Sequence, residues 1–201
     1  FNTPVTHLKP ILLAKPDQLL SKEQVRTRLG LPMDALAAYI QLGAGKINDI
    51  EGQLEMAIRL LNQYDNVHIV VGESIIGDRL ELAGERVRVI RDYPNSLSFN
   101  GFDFAIMAGG YNSYHEAIAF SLPTLFIPNL NTGMDDQLAR VSAGEAVGAC
   151  LVLNDSTEEV FSEKIRKLLD ADYREKMRIA CISNHSQNGA VGASKMMIDF
   201  L

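Results

Sequence analysis

A parallel α/β domain is the architecture that this 201-residue sequence predicts, on three observations. From Ala38 onward, short apolar runs rich in Val and Ile alternate with amphipathic helical segments, the pattern of βαβ units. Several of the six runs are continuously apolar, as strands covered on both faces require. Glycine-rich turns follow the first and the fourth, where a parallel sheet places its ligand-binding loops. Together these give a Rossmann-like sheet of about six parallel strands with helices on both faces.

The elements follow in order along the chain. The first thirty residues carry Pro4, Pro10 and Pro16, then Ser21-Lys22-Glu23-Gln24, a capping box before a short helix. They read as a linker and lead-in helix, leaving residues 31–201 as the domain proper. Strands are expected at Tyr39–Leu42, Val67–Val71, Val87–Ile90, Phe104–Met107, Thr124–Ile127 and Ala149–Leu153. A helix over Ile50–Tyr64 places Leu54, Ala57, Ile58 and Leu61 on one face, and another over Glu158–Leu169 opens at Ser156 with Glu159 three residues on. Two further helices, around Tyr173–Ile182 and Ala190–Phe200, close the chain.

Composition narrows the function classes. Hydrophobic residues make up 47% and charged residues 22%, which suits an ordinary globular core. A net charge of −6 with no basic run argues against nucleic acid as a partner. Anionic small molecules stay open, because helix N-termini bind phosphate without a basic surface. Cys150 and Cys181 form no CxxC pair and fit a reducing cytoplasm. No apolar run approaches the roughly 18 residues that cross a bilayer. A chain opening at Phe1 reads as a fragment.

Three loops carry candidate chemistry. Gly43-Ala44-Gly45-Lys46-Ile47-Asn48 is a glycine turn with Asn48 as the helix cap and Glu51 three residues on. It is not a P-loop, because Lys46 is followed by Ile47 and the first glycine position holds Ile40; it is a poor dinucleotide fingerprint, because Asn48 occupies the third glycine position. It either cradles a phosphate or is a tight turn without a ligand. The second loop, Gly109-Gly110-Tyr111-Asn112-Ser113, runs into a helix whose start could hold a diphosphate. Ser113 and Glu116 also match a capping box, so Glu116 has a purely structural alternative. In the third, Asp136 and Gln137 offer the acceptors and donors that sugar hydroxyls need, or Asp136 is an ordinary N-cap. Lys46, Arg91 and Arg140 are the basic residues nearest these loops and read as solvated; His115 reads as a surface or packing residue.

The ordered stretch Gly110-Tyr111-Asn112-Ser113, Glu116-Ala117, Pro123, Pro128, Asp136-Gln137 resembles the donor-binding signature of GT-B glycosyltransferases, the UDP-glycosyltransferases and the bacterial family of the peptidoglycan N-acetylglucosaminyl transferase. A looser resemblance covers most of the chain after about residue 30. It implies the C-terminal half of a GT-B fold. It implies that Glu116 binds the ribose hydroxyls of UDP, that Asn112, Ser113 and backbone amides around Gly43, Ala44, Gly109 and Gly110 hold the diphosphate, and that Asp136 and Gln137 touch the donor sugar. Ile90–Tyr93 would lie near the uracil. Plant-like members carry a histidine where this sequence has Ala108, so the loops must supply that phosphate contact.

The activity so implied is transfer of a hexosyl group from a UDP-sugar substrate to an acceptor hydroxyl, with no metal or cofactor. The acceptor domain and catalytic base would belong to a missing N-terminal half, as would any peripheral membrane association, and the chain alone would be inactive. The alternatives are a non-catalytic donor-binding subunit of a two-chain transferase and a nucleotide-sugar epimerase or hydrolase. A dinucleotide oxidoreductase, with Glu73 as its ribose acid, is the weakest.

Overall fold

The computed structural model describes residues 5–43, 50–73, 82, 84–130 and 135–199. Six strands, β1 (Leu36–Gln41), β2 (Val67–Gly72), β3 (Val87–Ile90), β4 (Phe104–Ala108), β5 (Thr124–Ile127) and β6 (Leu151–Val152), form one sheet in the order β3-β2-β1-β4-β5-β6. Every pairing is parallel. The chain direction of the build-up reverses between β1 and β4, which makes their carboxyl ends the switch point of the sheet.

The two-residue period of the strands sorts side chains to opposite faces. Ala38, Ile40, Ile69, Val71, Phe104 and Ile106 point to one side, where they pack with α2 (Ile50–Leu61), α5 (Glu158–Leu169) and α6 (Ala171–Asn184). Tyr39, Val70, Ala105, Met107 and Phe126 point to the other, under α1 (Lys22–Leu29), the 3₁₀ helix Asn95–Gly101, α3 (Tyr111–Ala119) and α4 (Gln137–Ala146). The last helix, α7, spans Ala190–Asp199. No helix among the described residues is long and apolar enough to cross a membrane.

Several expectations shift in detail, beginning with the first strand, which runs Leu36–Gln41 rather than Tyr39–Leu42. The final strand is only Leu151–Val152, because Gly148 turns with φ of 75° and Ala149 packs instead against Ile118 and Cys181. The second helix stops at Leu61, three residues early, where Gln63 and Tyr64 tighten to i→i−3 bonds. Thr157, not Ser156, precedes α5; the Ser156 hydroxyl instead accepts from Gln53 Nε2 at 3.4 Å. A seven-residue 3₁₀ helix at Asn95–Gly101 was not anticipated at all. The Asn48 cap lies outside the described residues, as does the Glu51 side chain.

The capping box at Ser21 forms as its spacing requires: Ser21 Oγ accepts from the Gln24 N–H at 3.2 Å and Gln24 Oε1 accepts from the Ser21 N–H at 2.9 Å. The helix it opens is anchored to the domain. Val25 and Arg26 are fully buried, and Arg26 Nη2 meets Asp103 Oδ2 at 2.6 Å.

Candidate donor-binding site

Loops leaving neighbouring strands at the switch point must begin side by side, and the described ends of β1 and β4 do. Gly43, at φ of 91°, ends the described part of the first loop, and a Cβ placed on it would stand 3.9 Å from Ala108 Cβ at the end of β4. Ala44, with Gly45, Lys46 and Ile47, lies outside the described residues.

The two glycines after β4 have different reasons. Gly109 is buried against α4: a Cβ there would stand 3.0 Å from Val141 Cγ1 and 3.4 Å from Gln137, so packing accounts for this glycine without a ligand. Gly110 has no such neighbour, since a Cβ would have nothing within 4 Å. Its φ of −59° and ψ of 155° are open to any residue. Neither backbone strain nor contact demands glycine at position 110, and the surface above it is free.

Gly110 is also the N-cap of α3, which opens with no side-chain cap. The first-turn amides of Tyr111, Asn112 and Ser113 therefore present the unpaired donors and partial positive charge of a helix start. Asn112 is exposed and Ser113 half-buried. With the helix beginning at Tyr111, Ser113 sits at N3 and cannot be the N-cap, so the structure removes the capping-box role of Glu116.

Glu116 lies a further turn along, buried at 8% exposure, and its Oε1 has no hydrogen-bond partner. Burial raises its pKa; the neighbouring Ser96 hydroxyl and Leu13 backbone act against that shift without satisfying Oε1. A buried carboxylate oxygen without a donor costs several kcal/mol unless the group is neutralised or a ligand supplies the bond.

Asp136 caps α4, its Oδ1 accepting from the Ala139 N–H at 2.9 Å. Gln137 Oε1 accepts from the Asn129 N–H at 2.9 Å, tying the exit of β5 to α4. Each residue thus has a structural duty at the candidate site. Residues 131–134 between them fall outside the described set.

Arg140, expected as solvated, is held at the glycine loop. Its Nη1 donates to the Gly109 carbonyl at 3.0 Å, its Nη2 pairs with Asp135, and the guanidinium lies 5.4 Å from the centroid of the Tyr111 ring. His115 packs edge-on against Tyr111 and Tyr114, and burial followed by the Arg140 charge lowers its pKa. Arg91 is exposed, as expected, with its Nη1 4.0 Å from Oε2 of the buried Glu73. Cys150 and Cys181 are free and buried; burial pushes the Cys181 thiol up to about 12.

No family model matches the chain. An uncharacterized glycosyltransferase of Methanopyrus kandleri, MK0977, is 22% identical over 171 residues, covering 84% of this chain and 48% of that protein. The UDP-N-acetylglucosamine–N-acetylmuramyl-(pentapeptide) pyrophosphoryl-undecaprenol N-acetylglucosamine transferase of Clostridium botulinum is 28% identical over 154 residues, covering 75% of this chain and 41% of that protein. Among solved structures, spinosyn rhamnosyltransferase SpnG complexed with thymidine diphosphate superposes with a TM-score of 0.64 at 19% identity, covering 82% of this chain and 46% of that one. The chain spans about half the length of the curated relatives it matches. The chain has the fold of the GT-B glycosyltransferase structures and is similar in sequence to glycosyltransferases over most of its length.

Proposed function

We propose that residues 31–201 form the donor-binding domain of a UDP-sugar-dependent glycosyltransferase that passes a hexosyl group to an acceptor hydroxyl. The observation that carries this reading is the unpartnered Oε1 of Glu116, buried one turn into the uncapped helix at the switch point. A ribose diol supplies the missing donors, and the charge-assisted bonds that result belong to the stronger class.

The remaining roles follow from position. The free N–H groups at Tyr111, Asn112 and Ser113 oppose the negative charge that grows on a leaving diphosphate, in a site where no water need reorganise. Open space over Gly110 lets the phosphates approach the backbone. Arg140, by holding the Gly109 carbonyl, fixes the peptide that precedes Gly110. With Gln137 Oε1 committed to Asn129, its NH2 group is what remains for a sugar hydroxyl. The acceptor site and catalytic base lie outside these 201 residues in this reading.

Calorimetric titration of the chain with UDP tests it: weak but saturable binding is expected, with no sugar transfer by the chain alone. Absence of UDP binding sinks the donor-site reading, and turnover sinks the half-enzyme reading.

Gly110→Ala gives a second check. The methyl enters open space, and the lower entropy of the unfolded chain offsets the poorer N-cap, so stability should change by less than about 1 kcal/mol. UDP affinity should fall several-fold while uridine affinity holds. Equal affinity of wild type and variant for UDP would show that phosphate does not lie on this backbone.

A further inference from the structure

Residues 8–12, ahead of α1, lie alongside residues 188–192, which lead into α7, although 176 positions separate Leu12 from Asn188 in the chain. The contacts run in antiparallel order. Asn188 holds Leu12 at both backbone groups: its Oδ1 accepts from the Leu12 N–H at 3.2 Å and its Nδ2 donates to the Leu12 carbonyl at 2.9 Å. Beside it, the Gly189 N–H donates to the Pro10 carbonyl at 2.7 Å. A Cβ on Gly189 would stand 2.0 Å from the Lys9 carbonyl oxygen, so only glycine allows this approach. A Cβ on Gly192 would stand 3.8 Å from the Leu8 side chain.

Helix capping accounts for only part of this arrangement. Asn188 Oδ1 also accepts from the Ala190 N–H at 3.0 Å, an Asx turn into α7. That turn needs the oxygen alone. The Nδ2 bond does nothing for α7 and serves only to hold the strap of residues 8–12. The strap in turn lies on α3: Pro10 and Leu12 line, with Tyr114, His115 and Ile118 of that helix, a cavity of about 110 Å³. The next residue reaches Glu116. Burial raises the Glu116 pKa, and the Ser96 hydroxyl and the Leu13 backbone oppose the rise, as a peptide close to the carboxyl does.

We propose that Asn188 is a positioning residue of the donor site: by gripping Leu12 it holds the strap against α3, and the strap keeps the Glu116 carboxylate in the orientation that binds ligand. Asn188 itself touches no ligand and acts through the backbone of residues 12 and 13. Its effect on binding rests on the role of Glu116 in the donor-binding reading above.

Titrating wild type, Asn188→Asp and Gly189→Ala with UDP, each alone and combined with Glu116→Gln, tests it. Asn188→Asp keeps the bonds that Oδ1 accepts and sets a second carboxylate oxygen against the Leu12 carbonyl, while the Gly189→Ala methyl drives the Lys9 carbonyl away. Each should weaken UDP binding about fivefold, the weight of one neutral hydrogen bond. Once Glu116 is already Gln, each should weaken it by less than about twofold, because both act through that one side chain. Circular dichroism at the titration temperature establishes that each variant is folded; the two disrupt the strap independently, so either alone decides. Unchanged UDP affinity in the variants overturns the proposal. So does an equal loss with and without Glu116, the mark of a general structural role. A Glu116→Gln chain that binds UDP as tightly as wild type removes instead the role of Glu116, and a wild type that binds no UDP removes the donor-binding reading itself; this positioning role falls with either.

Discussion

Replacing Glu116 by Gln should weaken UDP binding on the order of tenfold or more while leaving the folded chain no less stable. The affinity follows from the difference between a carboxylate accepting from two hydroxyls, worth roughly 1.5–3 kcal/mol per charge-assisted bond, and an amide of nearly the same shape. The stability follows from the other side of the same geometry. Glu116 caps nothing, its Oε1 is buried without a partner, and burial raises its pKa. A raised carboxyl means that the folded state holds more protons than the unfolded state between the unfolded and folded pKa values, so stability falls as pH rises through that window. The wild type therefore carries this cost at neutral pH, and Gln removes it. Uridine, free of the diphosphate's own titration, should bind less tightly as pH drops through the folded pKa of Glu116, and the variant should lose that dependence. Calorimetry and melts across pH check both. Unchanged UDP affinity in Glu116→Gln would remove the ribose assignment.

Arg26→Ala should cost about 3–5 kcal/mol of folding stability, the range for breaking a buried ion pair from one side. Arg26 is fully buried. Its Nε donates to the Gly101 carbonyl at 3.1 Å, and its Nη1 donates to those of Pro32, Met33 and Ala35 at 2.6, 3.1 and 2.8 Å. Its Nη2 meets Asp103 Oδ2, which also accepts from the Ala37 N–H at 2.7 Å. One guanidinium thus joins α1, the lead into β1 and the lead into β4. Truncation strands four carbonyls and leaves the Asp103 carboxylate only the half-exposed Lys22, at 3.3 Å, and the Ala37 N–H; Lys, a point charge with three donors, cannot span the same set. Urea unfolding followed by circular dichroism measures the loss; a change below about 1 kcal/mol would show that water reaches these groups.

Local signals made the fold legible. Six strands and their flanking helices appear as apolar runs and helical spacing, and the capping box at Ser21 formed because its two partners lie three residues apart. The 3₁₀ helix at Asn95–Gly101 stayed hidden because Pro94-Asn95-Ser96 reads as ordinary turn chemistry. Its burial depends on Phe99 and Phe102 reaching Tyr39, some sixty residues earlier in the chain. Arg140 read as solvated for the same reason: the Gly109 carbonyl that holds it is 31 residues away.

By itself the sequence determined the α/β architecture, the placing of glycine turns after the first and fourth strands, and the resemblance to GT-B donor domains carried by Gly110 through Gln137. These rest on short-range spacing, which the chain expresses wherever it folds. What Ser113-x-x-Glu116 does was not decidable there, because that spacing suits a capping box and a ligand carboxylate equally well. The tertiary structure decided it. Packing of Gly109 against Val141 and Gln137 fixes where β4 ends, the helix then starts at Tyr111, and Glu116 is carried one turn past any capping position. Strand order likewise sets β1 beside β4, so Gly43 and Ala108, more than sixty residues apart, adjoin at the switch point. Long-range packing chose between readings that local chemistry left equal.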